Sequence, residues 1–252
     1  LYGAEAANGV IQIITKKGQR GQQALNWNLL AERGQTDWFL FPQDNFTTCD
    51  ATKQAQRVSA TDTTLVWPGC QGLPVNTVIR GNPIRDDQRA VRTGDLSRLA
   101  LSGRGGGERY TTFLSANRDA EQGVFRNNDV ARTSIRSNFG FTPSTALDFN
   151  VIANWQDGRT RLPIQDESAN GLLISALRGL PGRIPFVVAG NEGWRLIAPE
   201  TANLYRNFTD TERLTFSGTG NWRPARWTRH TATLGVDDIN NAAQLLFLPA
   251  EI

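Results

Sequence analysis

The chain has 252 residues, of which 39% are hydrophobic, and its 27 basic and 24 acidic residues give a formal net charge of +3. Such a balance offers no clustered basic face, so nucleic-acid binding is not expected. The sequence contains no run of about 18 apolar residues, and it therefore predicts no transmembrane helix. No signal peptide is recognisable at the start.

In chain order, alternation of apolar and polar residues predicts seven half-apolar β-strands of about ten residues each. They lie in QQALNWNLLAERG, LSRLALSGR, YTTFLSANRD, RTSIRSNFGF, ALDFNVIANWQ, TERLTFSGTGNW and RHTATLGVDD. In the fifth of these, the apolar positions Leu147, Phe149, Val151, Ala153 and Trp155 alternate with Asp148, Asn150 and Asn154. Each strand is thus expected to have one apolar and one polar face.

The connections between these strands alternate in length. GRGGGE, TPST and RPAR are expected to be tight turns, because Gly, Pro and Ser supply the dihedral angles that turns need. The opposite connections are long, at about 34–94 and 161–209, which is unusual in a compact soluble domain. The second is expected to hold a short helix in SANGLLISALRGLPG, where apolar residues recur at helical spacing.

Short turns at one end, long loops at the other and alternating strands are typical of an outer-membrane barrel. A soluble β-sandwich also alternates, but rarely carries loops of this length at one end. Aromatic residues near strand ends fit an interfacial girdle, although they could be ordinary core residues: Trp27, Phe141, Trp155, Trp222 and Trp227. We therefore predict an all-β fold, a partial antiparallel transmembrane β-barrel with long extracellular loops and short periplasmic turns.

The only two cysteines, Cys49 and Cys70, lie in one stretch rich in Thr, Asp, Gly and Pro. Two cysteines about twenty residues apart in a loop predict a local disulfide and an oxidising compartment; two unrelated free thiols are the alternative. The single histidine, His230, is too distant in sequence to complete a zinc site. Five aspartates of the first loop could attract calcium but lack EF-hand spacing: Asp44, Asp50, Asp62, Asp86 and Asp87. We expect no cofactor and no metal.

The opening stretch LYGAEAANGVIQIITKKG resembles the end of the plug domain of TonB-dependent outer-membrane receptors, in particular their SusC/RagA-like branch. The matching positions are Tyr2, Gly3, Ala6, Ala7, Asn8, Gly9, Val10, Ile11, Ile13, Thr15, Lys16 and Gly18. The run of β-branched residues is strand-prone, so a generic soluble strand with a basic flank is the other interpretation. The resemblance implies that residues 1–20 end a plug and that residues 21–252 begin the barrel.

The resemblance also implies a function. It indicates an outer-membrane active-transport receptor that takes up a scarce nutrient, whether glycan, peptide or metal chelate, with energy relayed through TonB. The implied partners are TonB with its inner-membrane complex, a SusD-like surface lipoprotein, the nutrient ligand and outer-membrane lipid. Large transporters of this kind close with 22 strands around a plugged lumen, so seven strands would be an internal fragment.

The sequence supports two other classes of function less well. A non-transporting surface β-protein, adhesive or structural, would suit a β-sandwich. An enzyme is not expected, because no nucleophile and base pair is visible and GRGGGE lacks the Lys-Ser/Thr of a phosphate loop. Adjacent carboxylates such as Asp237 and Asp238 would point to opposite faces of a strand. Loop aromatics are candidate ligand or lid contacts, with packing of the loops as the alternative: Trp38, Phe39, Phe41, Phe46, Trp67, Trp194 and Tyr205.

Overall fold

The fold is known from a computed structural model, which describes residues 18, 20–21, 24–164, 168–185 and 190–247. Strands dominate it, as the sequence predicted. They are β1 (Asn26–Thr36), β2 (Asn45–Cys49), β3 (Thr77–Gly81), β4 (Gly94–Gly106), β5 (Tyr110–Gln122), β6 (Asp129–Ser144), β7 (Leu147–Leu162), β8 (Arg206–Ala225) and β9 (Thr228–Leu246). The helices are short: α1 (Ala51–Ala55), α2 (Pro83–Asp86), α3 (Leu172–Leu177) and α4 (Pro199–Leu204).

Seven strands form one sheet in the order β1-β4-β5-β6-β7-β8-β9, and each pairs antiparallel with its neighbours. The remaining two, β2 and β3, form a separate antiparallel hairpin within the connection from β1 to β4. The seven-stranded antiparallel sheet confirms the predicted all-β class. The sheet is open, since β1 and β9 are not paired with each other in the described residues.

The register brings the apolar positions of successive strands onto one face. Leu29 pairs with Leu101, and Val151 lies between Phe139 of β6 and Gly218 of β8. These side chains are exposed: Leu29 by 67% and Leu101 by 43%. The sheet therefore does not bury its apolar face against another layer of the described chain, which is the opposite of a β-sandwich.

Tight turns join the strands at one end, at 107–109, 145–146 and 226–227. The predicted turn motifs were placed too early, because most of GRGGGE, TPST and RPAR continues the strands. In the last two motifs, Pro143 and Pro224 lie where the register shifts, and such an irregularity accommodates a residue that has no N–H to donate. In GRGGGE, the ring of Trp27 covers Gly103 so closely that a Cβ on Gly103 would collide with the ring.

The buried core lies in the long connections at the other end, which we call the loop cap: residues 37–93 and the described residues between 163 and 205. Its main cluster comprises Ile84, Ala90, Leu172, Ala176, Trp194, Ile197, Ala198, Ala202 and Tyr205. The predicted helix is present as α3, although it is shorter than its sequence motif. Among the described residues, no helix combines the length and the hydropathy needed to cross a bilayer.

Candidate functional site

The face of the sheet opposite the apolar one carries a series of polar contacts between strands. Arg98 of β4 donates from Nε to Asp119 of β5 at 2.7 Å and from Nη1 to Glu32 of β1 at 3.1 Å. These three residues lie side by side in the register, so one guanidinium links three strands. The alternating sequence explains the arrangement, because every second residue points to this face.

The same polar face continues across the rest of the sheet. The Ser134 hydroxyl donates to Asn117 at 2.7 Å, and Arg213 makes two hydrogen bonds to the Asp237 carboxylate, at 2.9 and 2.6 Å. Thr215 donates to the same carboxylate at 2.9 Å. Hydroxyls, amides and paired charges thus line this side from β4 to β9, a surface suited to water or a polar solute.

A cavity of about 160 Å³ opens on the polar face near the loop cap, across β4, β5 and β6. Arg98 and Arg132 contribute positive charge to its lining, while Asp119 and Glu121 contribute negative charge. Arg132 and Glu121 make no ion pair or side-chain hydrogen bond with the described residues. Two opposite charges without partners give the cavity the means to bind both an anionic and a cationic group of one ligand.

In the loop cap, a buried tryptophan and an arginine converge on one carboxylate. Trp194 is fully buried, and its Nε1 donates to Asp87 at 3.1 Å. Arg89 donates to the same carboxylate from Nε and Nη2, at 2.8 and 2.7 Å, and also pairs with Glu200. Burial raises the pKa of Asp87, but the hydrogen bonds from Arg89 and Trp194 outweigh it and hold the pKa below its ordinary value.

Cys49 and Cys70 are joined by a disulfide, with their Cα atoms 5.3 Å apart. It ties the end of β2 to a short 3-10 turn, Pro68–Cys70, and both cysteines are completely buried. Trp67 packs against them and donates from Nε1 to Gln56 at 2.8 Å. The Lys53 ammonium lies 5.4 Å from the centre of the Trp67 ring, within the range of a cation–π contact.

Glycines hold the two halves of the loop cap together through their backbones. The Gly69 N–H donates to the Gly182 carbonyl at 3.1 Å, and the Ile184 N–H donates to the Val66 carbonyl at 3.1 Å. A Cβ on Gly69 would collide with Gly182, so the approach requires a residue without a side chain. No sequence pattern predicts this contact, because the partners are more than a hundred residues apart.

The candidate aromatic contacts fall into two groups. Trp67, Trp194 and Tyr205 are buried and Trp38 is partly buried, so these residues pack the loops against each other, the alternative that the sequence left open. The others remain available for contact with a ligand or partner: Phe39 is 83% exposed, Phe46 66% and Phe41 37%.

The remaining sites predicted from the sequence are the plug-end motif and the loop aspartates. The plug-end motif lies outside the described residues except for Gly18, which approaches Gly105 and Thr112 so closely that a Cβ would collide with their backbones. The five loop aspartates do not converge on a metal: Asp50 caps α1 and Asp44 pairs with Arg85. No group of three metal-binding side chains is found in the part of the chain that the structure describes.

An open antiparallel sheet with one apolar face, one polar face and long connections at one end is the architecture of a section of β-barrel wall. No family model matches the sequence, and no curated protein is similar to it. Solved structures are similar. A chain of the RagAB peptide importer in its closed-closed state matches with a TM-score of 0.68 and 20% identity, and its open-open state matches with a TM-score of 0.68 and 18% identity.

A third structure, of the RagAB peptide transporter, matches with a TM-score of 0.63 and 19% identity. Each match covers at least 95% of the present chain. In the other direction, the chain spans 31% of the first of those structures and 30% of the other two. At this level of identity the similarity establishes the fold.

Proposed function

We propose that this chain forms part of the wall and outer loops of an outer-membrane active-transport receptor that takes up a scarce nutrient. Residues 1–20 are the end of its plug domain, and residues 21–252 are the first part of its barrel, with the loop cap facing outside. TonB and its inner-membrane complex supply the energy. A SusD-like lipoprotein pairs with the outer side, where Phe39 and Phe46 are exposed.

One observation carries the proposal: the two faces of the sheet differ in chemistry. Apolar side chains such as Leu29 and Leu99, 67% and 56% exposed, need lipid to cover them. The opposite face offers hydrogen bonds and charges to an aqueous interior. A surface β-sandwich, the alternative function class, would hide its apolar face against a second sheet.

Among glycans, peptides and metal chelates, a peptide is the cargo that the polar face supports best. The cavity beside Arg132 and Glu121 offers a cation and a carboxylate that pair with no side chain of the described residues, and these groups suit the two termini or the charged side chains of a peptide. The similar structures are named as a peptide importer and a peptide transporter, which agrees with this choice.

Uptake by the complete protein tests the proposal. Cells that lack the gene, cells that carry it and cells that carry the Arg132→Gln variant are supplied with labelled peptides, with and without functional TonB. We expect peptide uptake only with the intact gene and TonB, and a reduced apparent affinity in the variant. Equal uptake by cells with and without the gene, or uptake indifferent to TonB, contradicts the proposal.

Paired spin labels distinguish a barrel wall from a β-sandwich. Leu101→Cys and Ser102→Cys place labels at neighbouring positions of β4 that face opposite sides. In lipid, the first label should be accessible to dissolved oxygen and the second to a water-soluble relaxation reagent. If both labels report the same surroundings, the proposal that one face meets lipid and the other meets water is wrong.

A further inference from the structure

The apolar face of the sheet ends, toward the loop cap, in a border of charged residues, and the two halves of this border differ. In the β7–β8 half the border is mainly acidic: Arg159 donates to Asp210 at 2.9 Å, Trp155 Nε1 donates to Glu212 at 3.0 Å, and Asp157 is paired with Glu212 in the register. The excess of carboxylates at these positions makes this half unfavourable for an outside anion.

In the β1–β5 half the arginines have no carboxylate. Arg33 makes no ion pair or side-chain hydrogen bond with the described residues, and Arg118 donates only to the Thr133 hydroxyl, at 2.6 Å. Both side chains are exposed. Asp95, the nearest carboxylate along this face in the register, forms no ion pair with either arginine. We call Arg33 and Arg118 the arginine patch.

The register defines the spacing of the patch. Arg118 is paired with Leu99, which is paired with Ala31, and Arg33 follows two residues further along β1. Strand spacings of about 4.8 Å and rises of about 3.4 Å put the two Cα atoms about 12 Å apart. Two extended arginine side chains can close this distance onto one head group. The outward residues of β4 between them are Ser97, which is paired with Arg33, and Leu99, which is paired with Arg118.

The surface below the patch is apolar and exposed. Leu99 is level with Arg118, and Leu29, Leu101 and Leu114 continue the same face toward the tight turns. A ligand that fits this surface therefore has a negative head and a hydrocarbon body. A soluble anion would use the arginines but would leave the leucines uncovered.

We propose that the arginine patch binds a phosphate-bearing lipid of the leaflet at the loop-cap end, with the acyl chains lying along the leucines beneath it. Arginine suits this role because its planar guanidinium donates two hydrogen bonds to one phosphate. The inference rests on the proposed function, since it requires the apolar face to lie in a membrane. It adds a lipid site outside the barrel, separate from the cavity on the polar face.

Lipid retention by the complete protein tests the inference. The protein is placed in nanodiscs of neutral phospholipid that contain lipid A with two, one or no phosphates, and the retained lipid is counted by native mass spectrometry. Each arginine near an anionic lipid surface contributes about fivefold to affinity, so Arg33→Ala/Arg118→Ala should lower retention of the diphosphorylated lipid about thirtyfold. Arg33→Lys/Arg118→Lys should keep much of it.

Two controls make the result specific. Arg226→Ala removes an exposed arginine at the opposite, tight-turn end and should leave retention unchanged. The phosphate series on the unaltered protein needs no variant, and retention should fall as phosphates are removed. Retention that is indifferent to phosphate number, or equal in the double alanine variant and the parent, overturns the inference.

Membrane fractionation separates this failure from failure of the proposed function. If the protein is absent from the outer membrane, both proposals are wrong. If the protein is present and takes up peptide, but the double alanine variant retains as much lipid as the parent, only the lipid site is wrong.

Discussion

A charged residue introduced at the middle of the apolar face tests directly whether that face lies in lipid. Val151 is the third of five alternating positions of β7 between Leu147 and Trp155, and it is 36% exposed in the chain alone. Each end of this run is four residues away, which is about 14 Å along the strand and about 10 Å along the membrane normal at a tilt of about 40°. In the proposed barrel, Val151 would thus lie near the bilayer midplane.

An arginine at this depth on a lipid-facing strand costs about 2–4 kcal/mol. Val151→Arg should therefore lower the ratio of folded to unfolded protein by about 30-fold to 1,000-fold. Asn150→Arg is the matched control, because its neighbouring position points to the polar face, where a long charged side chain can meet water. We expect it to cost no more than about 0.5 kcal/mol.

The assay is urea unfolding of the complete protein in lipid vesicles, followed by tryptophan fluorescence and by the difference in gel mobility between folded and heated samples. The free energy of unfolding is compared among the parent, Val151→Arg and Asn150→Arg. An Asn150→Arg cost as large as that of Val151→Arg would refute the assignment of the two faces. No cost in either variant would show that the apolar face does not lie in lipid.

Three further predictions concern the loop cap, and limited proteolysis measures each. Gly69→Ala should loosen the cap by about 1–3 kcal/mol through overlap with Gly182, whereas Gly218→Ala, at a site with open space, should not; equal resistance in both variants contradicts this reasoning. Cys49→Ser removes the disulfide and should cost about 2–5 kcal/mol, an effect that reductant should reproduce in the parent only. The lowered pKa of Asp87 stabilises the cap above about pH 4, and this stability is lost as the pH falls through the folded-state pKa; Asp87→Asn should remove that part of the pH dependence.

The sheet was largely predictable because its physics is local. Alternation along ALDFNVIANWQ predicted β7, and the strand in fact continues to Leu162. The pattern was lost after Trp155 because the outward positions there are Asp157 and Arg159, which lie in the charged border. A search for apolar alternation detects the part of a strand whose outward side chains are apolar and stops where those positions become charged.

The cap was not predictable in the same way. The strands β2 and β3 are five residues each, too short for a periodic signal, and they pair across a connection closed by the disulfide. The packing of Trp194 onto Asp87 and the close approach of Gly69 to Gly182 join the two long connections, which are distant in sequence. Their residue types are compatible with many loops, so only the three-dimensional arrangement selects these contacts.

The location of the core indicates how the protein divides its sources of stability. Buried side chains such as Trp194 and Ile84 lie in the cap, where water exclusion and a disulfide operate as in a secreted domain. The sheet has strong backbone pairing, but its apolar residues lack partners within the described chain. In the proposed barrel this face is buried in lipid, and a lipid that satisfies Arg33 and Arg118 at the border would hold the sheet at a defined depth.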